Sequence, residues 1–256
     1  MRGIFLGTGT SHGVPMIGCG CAVCRSLNPK NKRRRASLYL STESTHVIVD
    51  TCPDFREQVL TFRVPRVDAV LLTHSHADHV FGFDDLRCFY SMQGAPIDVF
   101  GSQATLDFMN RTFAYVHTDH LPGASVLRVN FREVTEPFQV GDMKVTPLPV
   151  QHGNWTIYGY LVEAGGSRIG YVPDCSEMPE AVMDRLKGVE VMVLDGLRHR
   201  PHPSHFTVDK AVRVLQRIGA ERSYLTHLCH EVDHEETSGH LPAGIDLAYD
   251  GLTIAF

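Results

Sequence analysis

The sequence predicts an α/β fold in which strands are sandwiched under helices, and three observations carry that expectation. Short apolar runs of strand length recur along the chain, at 4–6, 37–40, 46–50, 69–72, 97–100, 126–131, 143–150, 158–162, 169–172, 191–194, 223–225 and 252–256. Stretches of helical periodicity fall between them, at 53–62, 179–186 and 207–218. Several runs end in Asp or His, at Asp50, His74, Asp174, Asp195 and His227. Strand C-termini are where loops leave a rigid α/β scaffold, so polar residues gathered there read as a site.

The elements follow in order from local chemistry. The first strand stops at Gly7-Thr8-Gly9-Thr10, and a polar turn joins 37–40 to 46–50. Pro53 sits early in its helix, where a missing N–H costs nothing. The run 69–72 is continuously apolar, as a strand buried on both faces is, and it delivers His74. Residues 101–130 read as a helix-like segment and a short loop without a Gly-rich or basic extension. With no low-complexity linker and no short internal repeat, one domain over 1–256 is expected.

Bulk composition narrows the partners. Hydrophobic residues make up 43% and charged residues 21%, enough for a core without staples. The net charge of -5 argues against nucleic acid as a partner. The dense cationic run Lys30-Asn31-Lys32-Arg33-Arg34-Arg35 is either a solvated loop or an anion-binding element. No stretch of 18 uncharged apolar residues exists, and the start turns to Gly and Thr too soon for a signal-peptide core, so a cytoplasmic protein without a membrane span is expected. The seven cysteines are an odd number, and three crowd into six positions, which fits a metal clip better than a disulfide framework.

The chemistry concentrates in Thr73-His74-Ser75-His76-Ala77-Asp78-His79, which offers four ligands in six positions. Alternate residues leaving a strand point one way, so His74 and His76 are placed to share an ion, and a turn into a helix would aim Asp78 and His79 at a second one. A second constellation is Cys19-Gly20-Cys21-Ala22-Val23-Cys24. Three thiols need one more ligand for a tetrahedral zinc site, and His230, three residues after His227, is the candidate. Cys52, Cys88, Cys175 and Cys229 read as small core residues, with Cys175 also a candidate for the pocket wall.

The histidine motif closely resembles that of the metallo-β-lactamase superfamily, and the likeness continues through Asp50, His152, Asp174 and His227 in order and spacing. The resemblance implies a four-layer αββα sandwich, here with a small zinc-binding loop at about 15–36. It implies that His74, His76 and His152 hold one divalent ion, that Asp78, His79 and His227 hold another, that Asp174 bridges them, and that Asp50 orients a ligand. Two ions so placed lower the pKa of a shared water and neutralise charge building on a phosphoester. Imidazole and carboxylate ligands suit Zn, Mn, Fe or Co. His76 stands where redox di-iron members carry Glu, which favours hydrolysis.

Within the superfamily the sequence resembles the PhnP-type cyclic phosphodiesterases, through Gly7-Thr8-Gly9, the thiol clip, Arg33-Arg34-Arg35 and the pair His227 and His230. That resemblance implies a cytoplasmic phosphodiesterase acting on a small phosphorylated substrate such as 5-phosphoribosyl 1,2-cyclic phosphate. The implied cofactors are two catalytic ions and one structural zinc, and a homodimer is compatible with it. His205 aligns with a histidine that the family places beside the metals, which makes it the expected general acid, catalytic together with Asp78. Arg87, Arg33 to Arg35 and His12 are candidates for holding phosphate, while His199 and His202 read as loop residues. Two rivals remain at this stage: a transfer-RNA 3′-processing endonuclease, and a non-catalytic carrier of cofactor biosynthesis.

Overall fold

The computed structural model describes residues 1–118 and 126–256. Its first half gives strands β1 (Arg2–Gly7), β2 (Ser37–Ser41), β3 (His46–Val49), β4 (Ala69–Leu71), β5 (Ile97–Gly101) and β6 (Val129–Glu133). The second half gives β7 (Phe138–Val140), β8 (Met143–His152), β9 (Trp155–Ala164), β10 (Ser167–Val172), β11 (Val191–Asp195), β12 (Arg222–Thr226) and β13 (Ile245–Leu247). The last strand, β14 (Thr253–Ala255), crosses back to pair with β1. Two seven-stranded sheets result, ordered β14-β1-β2-β3-β4-β5-β6 and β13-β12-β11-β10-β9-β8-β7.

Alternation along each strand builds the layers. Val47 and Val49 face one way and Ile48 the other, as do Ala69 and Leu71 against Val70. The first set meets Tyr160, Val162, Ile169 and Val193 of the opposite sheet in a core between the sheets. The second set packs with Phe55, Leu86 and Leu106 from helices α2 (Phe55–Thr61), α4 (Leu86–Gln93) and α5 (Gln103–Thr112). On the other side, Met192 and Leu194 pack under α6 (Glu180–Leu186) and α7 (Val208–Ile218). Three cores separate four layers, helix-sheet-sheet-helix, which is the αββα sandwich.

Helix α7 shows how locally such an element is written. Thr207 accepts the Lys210 N–H at its start, and Gly219 closes it at φ 66° with its N–H on Leu215. Between these caps the buried residues Val208, Ala211, Leu215 and Ile218 recur at helical spacing. The short helices α1 (Ala22–Arg25), α3 (Ala77–Val80) and α8 (His234–Ser238) lie beside the ligand-bearing loops instead of covering a sheet.

The structure departs from the sequence reading at a few points. β6 starts at Val129 and not at 126, and α4 was not read from periodicity, since only Leu86 and Phe89 are buried on it. Part of the 101–130 segment lies outside the described residues. Cys52, Cys175 and Cys229 are buried as expected, but Cys88 is exposed on α4.

The arginine run turns out to be neither a free loop nor an open anion site. Arg33 is 3% exposed and donates to Thr8 Oγ1 at 2.8 Å and to the Ala248 carbonyl at 2.6 Å. Arg34 pairs with Glu57 and Arg35 with Asp54. The Gly-Thr-Gly segment is what lets this run approach: a Cβ on Gly7 would lie 2.0 Å from the Arg35 carbonyl oxygen, and one on Gly9 would lie 2.9 Å from Arg33 Cβ.

Two titrating groups close this knot. Burial, and then Arg33, push His234 down from 6.5 to about 4. Burial raises Asp250, which accepts from Thr8 Oγ1 and the Arg34 N–H, from 3.8 to about 6. Below pH 6.5 the unfolded chain therefore protonates its histidine before the folded one does, and stability is lost as pH falls from 6.5 toward about 4. Asp250 opposes this, because the folded state takes up that proton first. His234→Gln removes the histidine contribution alone. Its urea midpoint should fall less between about pH 7 and about pH 5 than that of the parent, and equal slopes would locate the acid sensitivity elsewhere.

Candidate metal centre

Strand direction brings the polar residues to one edge. β10, β11 and β12 are mutually parallel, and β8 runs the same way because both β8 and β10 are antiparallel to β9. Their C-terminal ends carry His152, Asp174, Asp195 and His227. In the other sheet the parallel pair β3 and β4 delivers Asp50 and His74. His76 then caps α3 in an extended conformation, and the helix presents Asp78 and His79 within a single turn.

The two predicted triads assemble. Ligand atoms of His74, His76 and His152 lie within 4.8 Å of one another, and so do those of Asp78, His79 and His227. Asp174 stands between them with an oxygen for each side. Its Oδ2 is 3.8 Å from both His74 Nε2 and His152 Nε2. Its Oδ1 is 3.3 Å from His79 Nε2 and 3.4 Å from His227 Nε2.

Surrounding groups fix the ring orientations. The Asp50 carboxylate accepts from Thr73 N–H at 2.8 Å, from Thr73 Oγ1 at 2.7 Å and from His79 Nδ1 at 2.7 Å. Holding His79 by Nδ1 leaves Nε2 to face the site. His152 Nδ1 donates to the Ser204 carbonyl at 2.7 Å, with the same consequence. Asp50 does this from φ 63°, a left-handed conformation that Asp tolerates better than most residues.

The donor set fits divalent ions. His79 Nε2, Asp174 Oδ1 and both ring nitrogens of His227 are buried without a hydrogen-bond partner among the described residues. Each such group costs about 1–3 kcal/mol when left bare, so this grouping favours a bound cation. Protonation follows the same logic. Burial, and then neighbouring imidazoles, hold His74 below its ordinary value, and burial does the same for His76 and His152, so these three stay in the neutral, ligating form. Burial opposes charge on His79 and Asp78 too, but His79 is attracted by Asp174, Asp78 and Asp50, and Asp78 by His79 and His227, which raises the histidine and lowers the carboxyl. That half of the site is rich in negative charge and calls for positive charge.

The thiol clip also assembles. Cys19, Cys21 and Cys24 Sγ and a His230 nitrogen lie within 4.8 Å of one another. His230 Nδ1 is 3.4 Å from Cys19 Sγ and 3.5 Å from Cys21 Sγ. A tetrahedron with Zn–S and Zn–N bonds of usual length has S···N edges of about 3.5 Å, so the spacing matches. The Cys24 N–H and then His230 lower the Cys21 thiol to about 6, while burial raises Cys24 to about 11.

Beside the triads stands His205, whose ring centroid is 4.6 Å from that of His152 and 4.8 Å from that of His227. Its Nδ1 donates to Asp195 Oδ2 at 2.8 Å. Asp195 is itself pinned by the Cys175 and Leu197 N–H groups at 2.9 and 3.1 Å. Asp195 was visible in the sequence as a strand end without a partner, and its pairing with His205 is new from the structure. Between His205 and the clip residue His230 lies a cavity of about 380 Å³ lined also by His12, Arg198, Arg200 and His202. Of the cationic candidates only His12 reaches it. Arg87 instead pairs with Asp84 on the surface of α4. Arg198, Arg200 and the Glu231 that pairs with both were missed, because no motif marks them.

Comparison with known proteins agrees with this geometry. A β-lactamase superfamily domain matches residues 45–228, and the chain belongs to that superfamily of metal-dependent hydrolases. More narrowly it belongs to the PhnP family: the crystal structure of a diphosphatase from that family superposes with a TM-score of 0.92 at 39% identity, covering 100% of this chain and 97% of the other. A Porphyromonas gingivalis protein named octanoyltransferase is 38% identical over 98% of this chain. The chain spans about half of that relative, 51% of its length, so the name does not settle what the aligned part does. Zn²⁺-bound PqqB from Methylobacterium extorquens (TM-score 0.83, 23% identity, 100% of both chains) and human short-form tRNase Z (0.74, 20%, 100% and 99%) share the fold. No helix among the described residues is long and apolar enough to cross a membrane.

Because Asp50 holds both His79 and the Thr73 that precedes His74, Asp50→Asn should lower affinity for added Mn²⁺ or Zn²⁺ by about 10- to 100-fold. Competition with a chromophoric chelator measures this, and parent-like affinity would remove Asp50 from the centre.

Proposed function

We propose that the protein is a dinuclear phosphodiesterase acting on a small phosphorylated substrate, with a cyclic phosphodiester such as 5-phosphoribosyl 1,2-cyclic phosphate as the leading case. The observation that carries this is the imidazole of His205, held by Asp195 beside a doubly faced carboxylate, Asp174. His74, His76 and His152 hold one ion in this reading, Asp78, His79 and His227 the other, and Asp174 spans both. When bound, two divalent ions supply an activated water and neutralise the phosphoryl oxygens.

His205 Nε2 carries the proton that the leaving alkoxide needs, and Asp195 stabilises the imidazolium and keeps Nδ1 as the donor to itself. His12, His202 and Arg198 line the cavity next to His205 and are placed to hold a further anionic group of the substrate. Cys19, Cys21, Cys24 and His230 hold a structural zinc. A phosphoanhydride is the second reading, because the PhnP-family relative is named a diphosphatase. Net charge of -5 speaks against a transfer-RNA substrate, and the complete ligand set speaks against a carrier without turnover.

Ribose and nucleoside cyclic phosphates, diphosphates and thioesters assayed with Mn, Zn and Co test the reading. Thioester turnover without phosphoester turnover would overturn it. His205→Ala should lower phosphodiesterase kcat by about 100-fold or more with metal content intact. Parent-like turnover would exclude the acid role. Cys21→Ser should release one zinc per chain and lower the melting temperature while the other ions stay, by elemental analysis. Loss of the two other ions instead would show the clip to be part of the catalytic centre.

A further inference from the structure

The sequence holds one tryptophan, and it is not in a core. Trp155 is 52% exposed, an unusual placement for so large an apolar surface. It sits at a hairpin tip where Gly153, at φ 60°, and Asn154 turn the chain so that Trp155 pairs directly with His152. Its ring lies against His76, with centroids 4.9 Å apart. One side of the indole is thus fixed to the metal cluster, and the rest forms part of a cavity of about 420 Å³ that opens beside His74 and Ser75.

The far wall of that cavity comes from α5, through Thr105, Phe108 and Arg111. Arg111 is exposed in the last turn of the helix and has no carboxylate partner among the described residues, unlike Arg34, Arg35, Arg87, Arg198 and Arg200. Two aromatic rings and a guanidinium without a carboxylate partner among the described residues therefore line a cavity at His74 that shares no residue with the one beside His205 and His12. Flat rings stack on such surfaces whatever their hydrogen-bonding edges, and a guanidinium suits a phosphate or carboxylate.

We infer that this cleft is a specificity subsite for a nucleobase, so that the substrate is a nucleotide whose base rests on Trp155 and Phe108 and whose outlying anionic group meets Arg111. The inference rests on the phosphoester reading above and narrows it, from a bare sugar phosphate to one bearing an aromatic ring. The base takes this cleft, and the separate cavity beside His205 takes the remaining group.

The single tryptophan makes the cleft report on itself. Titration with adenosine monophosphate should quench the fluorescence of Trp155, ribose 5-phosphate at the same concentration should not, and Arg111→Gln should weaken the quenching. In turnover, Trp155→Ala should raise KM for adenosine 2′,3′-cyclic phosphate about tenfold or more. Its KM for a base-free ribose cyclic phosphate should rise far less, so that the ratio of the two KM values changes, and Trp155→Phe should restore the low KM. Equal quenching by both probes, or an equal KM rise for both substrates, would overturn the subsite. Quenching by transfer RNA but not by the mononucleotide would also overturn it. If neither diester is hydrolysed the phosphoester reading fails, yet the titration still decides whether the cleft holds a base.

Discussion

The carboxylate of Asp174 is the group around which the molecule is arranged. It is buried, carries no hydrogen-bond donor on Oδ1 among the described residues, and faces four imidazoles. Burying such a charge costs several kcal/mol unless it is compensated, so its neighbours have to supply the compensation. Its place in the topology is informative. Asp174 follows β10, which is antiparallel to β9 and parallel to β11. Asp50 follows β3, which is antiparallel to β2 and parallel to β4. Each sheet thus sends a buried aspartate from the strand where pairing changes direction, and sheets open a crevice where their connectivity switches.

That arrangement explains how charge is balanced. On the His79 side, Asp50, Asp78 and Asp174 surround one imidazole. On the His74 side, three imidazoles are held neutral, and two of them, His74 and His152, face one carboxylate oxygen. A proton on His79 offsets part of the imbalance, and divalent cations would offset more, because His79 Nε2 and His227 Nε2 already face Asp174. The same physics separates this cluster from the other charged group of the chain. The Arg33 to Arg35 run meets carboxylates and carbonyls directly, so it ties strands together and has no guanidinium left for a ligand.

Much of this was legible in the sequence, for reasons of range. The strands around Val47, Val70 and Val193 show themselves because burial of both faces leaves an apolar run, and residues 74–79 show themselves because one strand end and one helical turn place all four ligands. His152, Asp174 and His227 lie far apart in the chain and were placed by resemblance. What stayed hidden depends on contacts that no spacing encodes. The carboxylates that meet Arg34 lie 23 and 216 residues away. Asp195 reaches His205 only because a loop returns to its own strand end. Trp155 is one residue of a hairpin, and its exposure, which gives it meaning, is a property of the folded chain. α4 was missed because two buried positions leave too faint a period.

The clip gains a role from the loop it shares with the histidine cluster. His227 and His230 are three residues apart, and His227 sits at φ 59°, a costly conformation of about 1–3 kcal/mol for a residue other than glycine. Such a conformation persists only where its surroundings over-determine it. Between the two histidines, Leu228 donates to the Thr8 carbonyl at 2.9 Å and accepts from the Thr10 N–H at 3.1 Å, and Cys229 donates to the Leu197 carbonyl at 3.0 Å. Those bonds hold the middle of the segment, and β12 holds its start. Its far end, at His230, reaches the thiols of a loop whose own chain leads through Arg33 and back to Gly9. The thiol clip therefore closes a ring of contacts that keeps His227 turned toward Asp78 and Asp174, and the stability of a site some residues away is tied to the geometry of the metal cluster.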